Sequence, residues 1–471
     1  MTKKAKLIAA TAACLTGIAF AATVSVIASN PPDGRVRIAA KPETQSGDPS
    51  AIAAAGTLAA TSLAAPTLQI PGGSPIETFH DSELDKCGTT SIRQDGPVRV
   101  FEDQFNVIHM TMSNAQAVAY QWTGSVTGFT NNPTTAALDC TPVMQGYVNN
   151  TDVSKFDEKT WIQGFYFDGT TAWAYGHQDH WGGQPRFNNS TCHAQGDTYE
   201  DPDGTGPLPA PQPKPRCWSA SIATWKANPV SSADRHLNFT RNGTAPDHTA
   251  IYPHVQYPGD ALTPKAGWIG YGAPSNIFRG HNADGTLDGY WYMLAYTNSG
   301  YAGQAKGVCL FRSGNPADRS SWRAWNGSTT APGFTQVMGN PYTTTNSPCA
   351  VVQPALFNSY VRSVVWHKPS RHYIAIYRVG ADGVYWATSP DMLNWTQGGR
   401  LLASDSDAAS YPVLIDFDGG DYGDSNFDRA YDNGKLYLFY RKLVPGAVRV
   451  TRRLVDVTNY PADPPSSSNP G

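Results

Sequence analysis

Four segments of this chain repeat one pattern, and the repeat limits the folds open to it. Residues 171–175 follow the turn Asp168-Gly169, and residues 289–296 follow Asp284-Gly285. Residues 371–377 follow Lys368-Pro369-Ser370, and residues 435–440 follow Asp432-Asn433-Gly434. In each, a turn leads into a strand with aromatic or aliphatic residues on alternate sites, as in a β-hairpin. A second piece follows two of them: residues 307–313 lead to Trp322, and residues 383–389 lead to Trp395. Val308 and Val384 stand 76 residues apart, Trp322 and Trp395 73. A weaker copy starts at Trp218. Self-similarity at this period, with about four strands per unit, predicts a β-propeller. A pair of β-sandwiches would also use short alternating strands but would not explain the period. A folded unit over 81–458 then holds about five units of roughly 75 residues. The expected blades are 95–150, 158–226, 265–326, 350–398 and 408–455, with a long Gly/Pro-rich insertion near 183–215.

Composition agrees with an all-β chain. Charged residues are 15%, against roughly 25% in an average soluble protein. Gly (44) and Pro (36) are abundant, as turn-rich folds require. The net charge of −3 offers no large positive field, which argues against nucleic-acid binding. The acids are lopsided: the six glutamates are Glu43, Glu77, Glu83, Glu102, Glu158 and Glu200, and none lies beyond residue 200.

The first 29 residues read as an export signal or an N-terminal anchor. Lys3, Lys4 and Lys6 precede an apolar run from Leu7 to Ala28, with a small-x-small site at Ala19-Phe20-Ala21. The expected location is therefore extracellular, or anchored if the segment is retained. Residues 30–80, rich in Ala, Pro and Ser, read as a flexible linker, and 459–471 as a disordered tail. Beyond Cys14, six cysteines remain: Cys87, Cys140, Cys192, Cys217, Cys309 and Cys349. An even number in an exported chain suggests disulfides, and sequence neighbours are the expected pairs. No CxxC spacing supports a zinc cluster.

Two stretches resemble the blades of secreted five-bladed propeller glycoside hydrolases, the arabinanase, xylosidase and fructosidase group. One is "GVYWATSPDMLNWT" at 383–396; the other is "YPVLIDFDGGDYGDSNFDRAYDNGKLYLFYRK" at 411–442. The resemblance covers about half the chain and lies in structural repeats, so it speaks for fold more than for chemistry. It implies a substrate at one mouth of the central axis, met by carboxylates from different blades. Asp95, in Gln94-Asp95-Gly96-Pro97, matches the group's base aspartate opening blade I; a turn aspartate is the plainer reading. The group sets its acid glutamate in a later blade, where this chain has none. That role moves to Glu158, passes to an aspartate, or is lost. Glu158 lies between Phe156 and Trp161, apolar neighbours that could raise its pKa; a solvated turn paired with Lys155 or Lys159 is the alternative. Asn276 stands where the group usually has a third carboxylate, with Arg279 on the same strand. An amide there can hold a sugar hydroxyl or make strand-entry hydrogen bonds.

Further candidates come from the residues themselves. On a strand, His177 and Asp179 share one face and His180 the other, so the first two form a substrate-contacting or a structural pair. A metal would need a third ligand that no motif supplies. Asp416 could face the mouth, and Asp418, Asp421, Asp424 and Asp428 crowd the loop beyond. A structural Ca²⁺ on that cluster is the one metal left open, without EF-hand spacing; no cofactor is otherwise expected. Trp181, with Trp161, Trp173, Trp218 and Trp291, could offer flat faces to sugars, although most blade aromatics are core. No GxSxG elbow, GxGxxG or P-loop is present. The expectation is a monomeric carbohydrate-hydrolysing propeller, with a carbohydrate-binding or adhesive propeller as the alternative.

Overall fold

The computed structural model describes residues 63–131, 136–148, 150, 152–181, 217–229, 231, 233–257, 267–297, 301–330, 333–380, 382–403, 409–417, 425–431 and 435–460. The signal or anchor segment, most of the linker, the long insertion and the tail lie outside these residues. Among those described, no helix is long and apolar enough to cross a membrane.

Five antiparallel sheets form the five blades of a β-propeller. Blade I runs from its inner strand Arg99–Glu102 through Ile108–Ser113 and Val118–Gly124 to Ala137–Gln145. Blade II contains Lys159–Phe167, Ala172–Trp181 and Cys217–Ala227. Its outer edge is built from the short strands Thr240–Arg241 and Thr249–Ile251 and the parallel strand Gly267–Gly270, rather than one regular fourth strand. Blade III runs Phe278–His281, Leu287–Thr297, Gly307–Ser313, Arg323–Trp325, Phe334–Val337. Blade IV runs Val361–His367, His372–Val379, Gly383–Ser389, Thr396–Ala403. Blade V contains Ser410–Asp416, Leu436–Val444 and Ala447–Leu454.

The four repeated segments are the second strands of blades II to V, and the pieces at 218, 307 and 383 are third strands. They repeat because each packs both faces into a neighbouring blade. Five hydrophobic clusters result, and together they span all five interfaces. Phe101 of blade I meets Phe165 of blade II; Tyr175 of II joins Met293 of III. Leu294 of III joins Val364 of IV, Ile374 of IV joins Leu414 of V, and Phe439 of V joins Met110 of I. The last interface closes the ring.

Closure uses chain that sequence reasoning assigned to the linker. Glu77–Asp81 is the fourth strand of blade V, antiparallel to Ala447–Leu454. Opposite charges sit across the pair: Arg452 Nε donates to Glu77 at 2.6 Å and Arg449 Nε to Asp81 at 2.6 Å. Thr67–Gln69 pairs with Asp456–Thr458. The folded unit thus starts near 67, not 81, because the sheet edge left by the last strand needs a partner. Cys87–Cys140 ties the segment after the closing strand to the outer strand of blade I, and Cys309–Cys349 lies in blade III. Of the expected Cys192–Cys217 pair, Cys192 lies outside the described residues.

One end of the axis is crossed by residues 425–431, which touch all five inner strands. Glu102 N–H of blade I donates to Ser425 O at 2.9 Å. Phe167 N–H of blade II donates to Asn426 Oδ1 at 2.8 Å. Arg279 of blade III pairs with Asp428, and Trp366 N–H of blade IV donates to Asp428 O at 2.8 Å. Tyr431 N–H donates to Asp416 of blade V at 2.8 Å. These contacts lie toward the C-terminal ends of the inner strands. The candidate site therefore belongs at the other end.

Candidate functional site at the axial mouth

Asp95 stands just before the inner strand of blade I, with its N–H donated to Ser113 O at 2.8 Å and its side chain 34% exposed. Tyr411 Oη donates to its Oδ1 at 2.7 Å from blade V, and Arg441 Nη1 lies 3.9 Å away. The Tyr411 ring lies under two guanidiniums: the Cζ of Arg362 is 5.0 Å from its centroid and that of Arg441 5.4 Å. Arg362 also lies 4.2 Å from the Tyr360 ring. The mouth thus brings one carboxylate, two guanidiniums and two phenols together from blades I, IV and V.

Tyr411 has φ = 54°. A tyrosine in the left-handed region is strained, and its position before Pro412 disfavours helical backbone as well. Such conformations cost about 1–3 kcal/mol and persist where surrounding contacts enforce them. Here the bond to Asp95 and the stacked arginines do so.

Arg99, the first residue of the inner strand of blade I, is buried. Its side chain bridges three blades: Nε donates to Gln163 O of blade II, and Nη2 to Arg362 O of blade IV at 2.6 Å. Burial, and secondarily the charge of Arg362, pulls the Arg99 pKa well below its ordinary value.

The other candidates fall in three places. His177 and Asp179 form the expected pair, with His177 Nε2 2.5 Å from Asp179 Oδ1. Ala273 N–H donates to His177 Nδ1 at 2.7 Å and Trp218 Nε1 to Asp179 Oδ1 at 2.8 Å, so the pair joins blade II to the entry of blade III. Asn276 Nδ2 donates to Val364 O at 2.8 Å, and its Oδ1 accepts from Val364 N–H at 2.7 Å. This is strand-entry bonding between blades III and IV. Trp161 lies near His177 and donates its indole N–H to Asn114 O at 2.9 Å. Trp181 ends the second strand of blade II, opposite Trp218.

Glu158 is wholly buried, with His180 Nδ1 3.7 Å from its carboxylate. Beside it, burial raises the Asp157 pKa even with Arg241 bonded to it, and lowers that of His248 to about 4. Arg279 and Asp416 lie at the crossed end. Arg279 donates Nη2 to Asp428 Oδ1 at 2.6 Å. Among the described residues no cluster of His, Cys, Asp or Glu is arranged to hold a metal. Asp418, Asp421 and Asp424 lie outside them.

Sequence reasoning missed Tyr360, Arg362, Tyr411, Arg441 and Arg99. Each sits in or beside a strand, where alternation reads as packing. Their meeting depends on the ring.

No family model matches the chain, and no curated protein matches it. Among solved structures it is similar to Trypanosoma rangeli sialidase in complex with the inhibitor DANA: 8% identity, TM-score 0.38, covering 82% of this chain and 60% of that one. It is similar to an alpha-L-arabinofuranosidase from Lactobacillus brevis at 10% identity and TM-score 0.39, covering 78% of this chain and 91% of that one. For the GH43_1 enzyme from Xanthomonas citri complexed with xylose the values are 12%, 0.41, 81% and 90%. The chain spans 60% of the sialidase chain's length. The fold assignment rests on the five sheets and their five interfaces.

Proposed function

We propose that this chain is an exported glycoside-hydrolase-like propeller that takes a polysaccharide at the Asp95 mouth. The observation that carries the reading is the constellation itself. A partly exposed carboxylate is held by a phenol from another blade, at the end of the axis that residues 425–431 leave uncrossed. In hydrolysis Asp95 would serve as the base or nucleophile toward the anomeric carbon, and a second group would protonate the leaving oxygen.

A second reading, glycan binding without turnover, is favoured by one observation. Glu158, the glutamate nearest the role of acid, has no exposed side-chain surface and faces His180. The test measures reducing-end release and binding on one polysaccharide panel that includes arabinans. Hydrolysis is supported if the wild type releases product and Asp95→Asn slows release by about 10² or more while still binding. Binding with no release supports the second reading, and neither binding nor release overturns both.

A further inference from the structure

We propose that Asp179 is a second sugar-binding group of the mouth, and that the glycan runs from Asp95 on blade I across blade II to reach it. This rests on reading that mouth as the glycan site, and it gives the direction of the bound chain.

The register of blade II sets the position of Asp179. It pairs with Lys159, the first residue of the inner strand. It therefore stands at the end of its sheet where Asp95 stands in blade I. A row of contacts joins the two. Asp95 N–H donates to Ser113 O at 2.8 Å. The next residue, Asn114, accepts the indole N–H of Trp161 on its carbonyl at 2.9 Å. The Trp161 and His177 rings lie 6.2 Å apart, and His177 Nε2 is 2.5 Å from Asp179 Oδ1.

The two oxygens of Asp179 differ. Oδ1 is held within blade II, where Trp218 Nε1 donates to it at 2.8 Å beside His177. Oδ2 accepts no hydrogen bond among the described residues and keeps contact with solvent, the side chain being 6% exposed. Buried polar atoms require partners, so an acceptor this enclosed needs a donor from outside the blade. Its orientation is fixed in advance by Trp218, and the His177 ring beside it is tied to blade III by Ala273 N–H at 2.7 Å. Sugar hydroxyls supply such donors. Aromatic rings around a few fixed polar atoms are the usual lining of a small-molecule site, and here Trp161, His177 and Trp218 provide them. Facing sheets pack about 10 Å apart, and Asp179 lies on the second strand of its own sheet. Asp95 and Asp179 thus meet different units of one glycan.

The experiment measures binding of the full chain to arabinan, xylan and galactan oligosaccharides of one to five units, with Asp179→Asn beside the wild type. The amide keeps an oxygen for Trp218 and puts a donor where Oδ2 was. The expected result is a wild-type affinity that rises with length. The variant should lose about tenfold on the longer oligomers and bind the single sugar like wild type. A role confined to holding the blade would weaken every length alike, and that result overturns the inference. So does a variant that matches wild type at every length, or a wild-type affinity that does not rise with length. In each of these cases the glycan reading stands. If no oligomer binds the wild type, both fall. Wild-type crystals with the longest bound oligomer test the same point without a substitution, should thermal melts show that the variant does not fold. A sugar hydroxyl should donate to Asp179 Oδ2; a sugar at Asp95 with Oδ2 bonded to water alone would overturn the inference.

Discussion

Asp428 holds the crossing segment to blade III, and its removal should be costly. Its carboxylate has no exposed surface and accepts three bonds from Arg279. These come from the backbone N–H at 2.6 Å, Nε at 3.1 Å and Nη2 at 2.6 Å. The guanidinium is 14% exposed, so water screens it little. Removing one partner of a buried ion pair costs about 3–5 kcal/mol. Asp428→Asn retains one oxygen for the backbone N–H, which sets the expectation near the lower end, about 3 kcal/mol. Arg279→Met should cost a similar amount, because Asp428 then keeps its charge without that cation. The double change should cost clearly less than the two single costs together. Urea unfolding followed by tryptophan fluorescence measures all four proteins. The dependence on urea should not change, since the same surface is exposed on unfolding. An Asp428→Asn cost below about 0.5 kcal/mol, or full additivity of the two changes, would refute the claim that this pair pins the segment.

Removing the Cys87–Cys140 bridge with a double alanine change should destabilise the unit by about 4 kcal/mol, from the loop it closes; its sequence separation is 53. Urea midpoints that match for both proteins would contradict this. Acid should destabilise the fold between about pH 6.5 and 4. Burial lowers the pKa of His248 and His281 to about 4 and of His367 to about 3. These three stay neutral when folded but take up protons when unfolded, so their stability is full above pH 6.5 and lost as pH falls toward 4. The slope is at most about 1.4 kcal/mol per pH unit for each. Flat unfolding free energies over pH 7 to 4.5 would show that the three are not held neutral.

The ring was legible where one strand position recurs. Second and third strands of blades II to V must fill an interface on each face, and that demand wrote the alternation at 171, 289, 371 and 435. Glu77–Asp81 carried no such mark. It is five residues long with Phe79 as its large apolar side chain, and its partner lies over 360 residues away. Residues 425–431 are short and polar, and their role comes from meeting five strand ends. For the site, spacing placed His177 and Asp179 on one face. The same reasoning gave Glu158 apolar neighbours in Phe156 and Trp161; its contact with His180 carried no local mark, because His180 stands on the next strand of the blade. Tyr411 reads as an ordinary strand tyrosine until its φ is known.

The central claim is that a glycan sits at the Asp95 end of the axis. A crystal structure of the chain with a bound oligosaccharide tests it most directly. The expected result is a sugar ring within hydrogen-bond distance of Asp95 and in contact with Tyr411. A sugar bound at the end crossed by residues 425–431, or on the outer edge of a blade with Asp95 untouched, would contradict it.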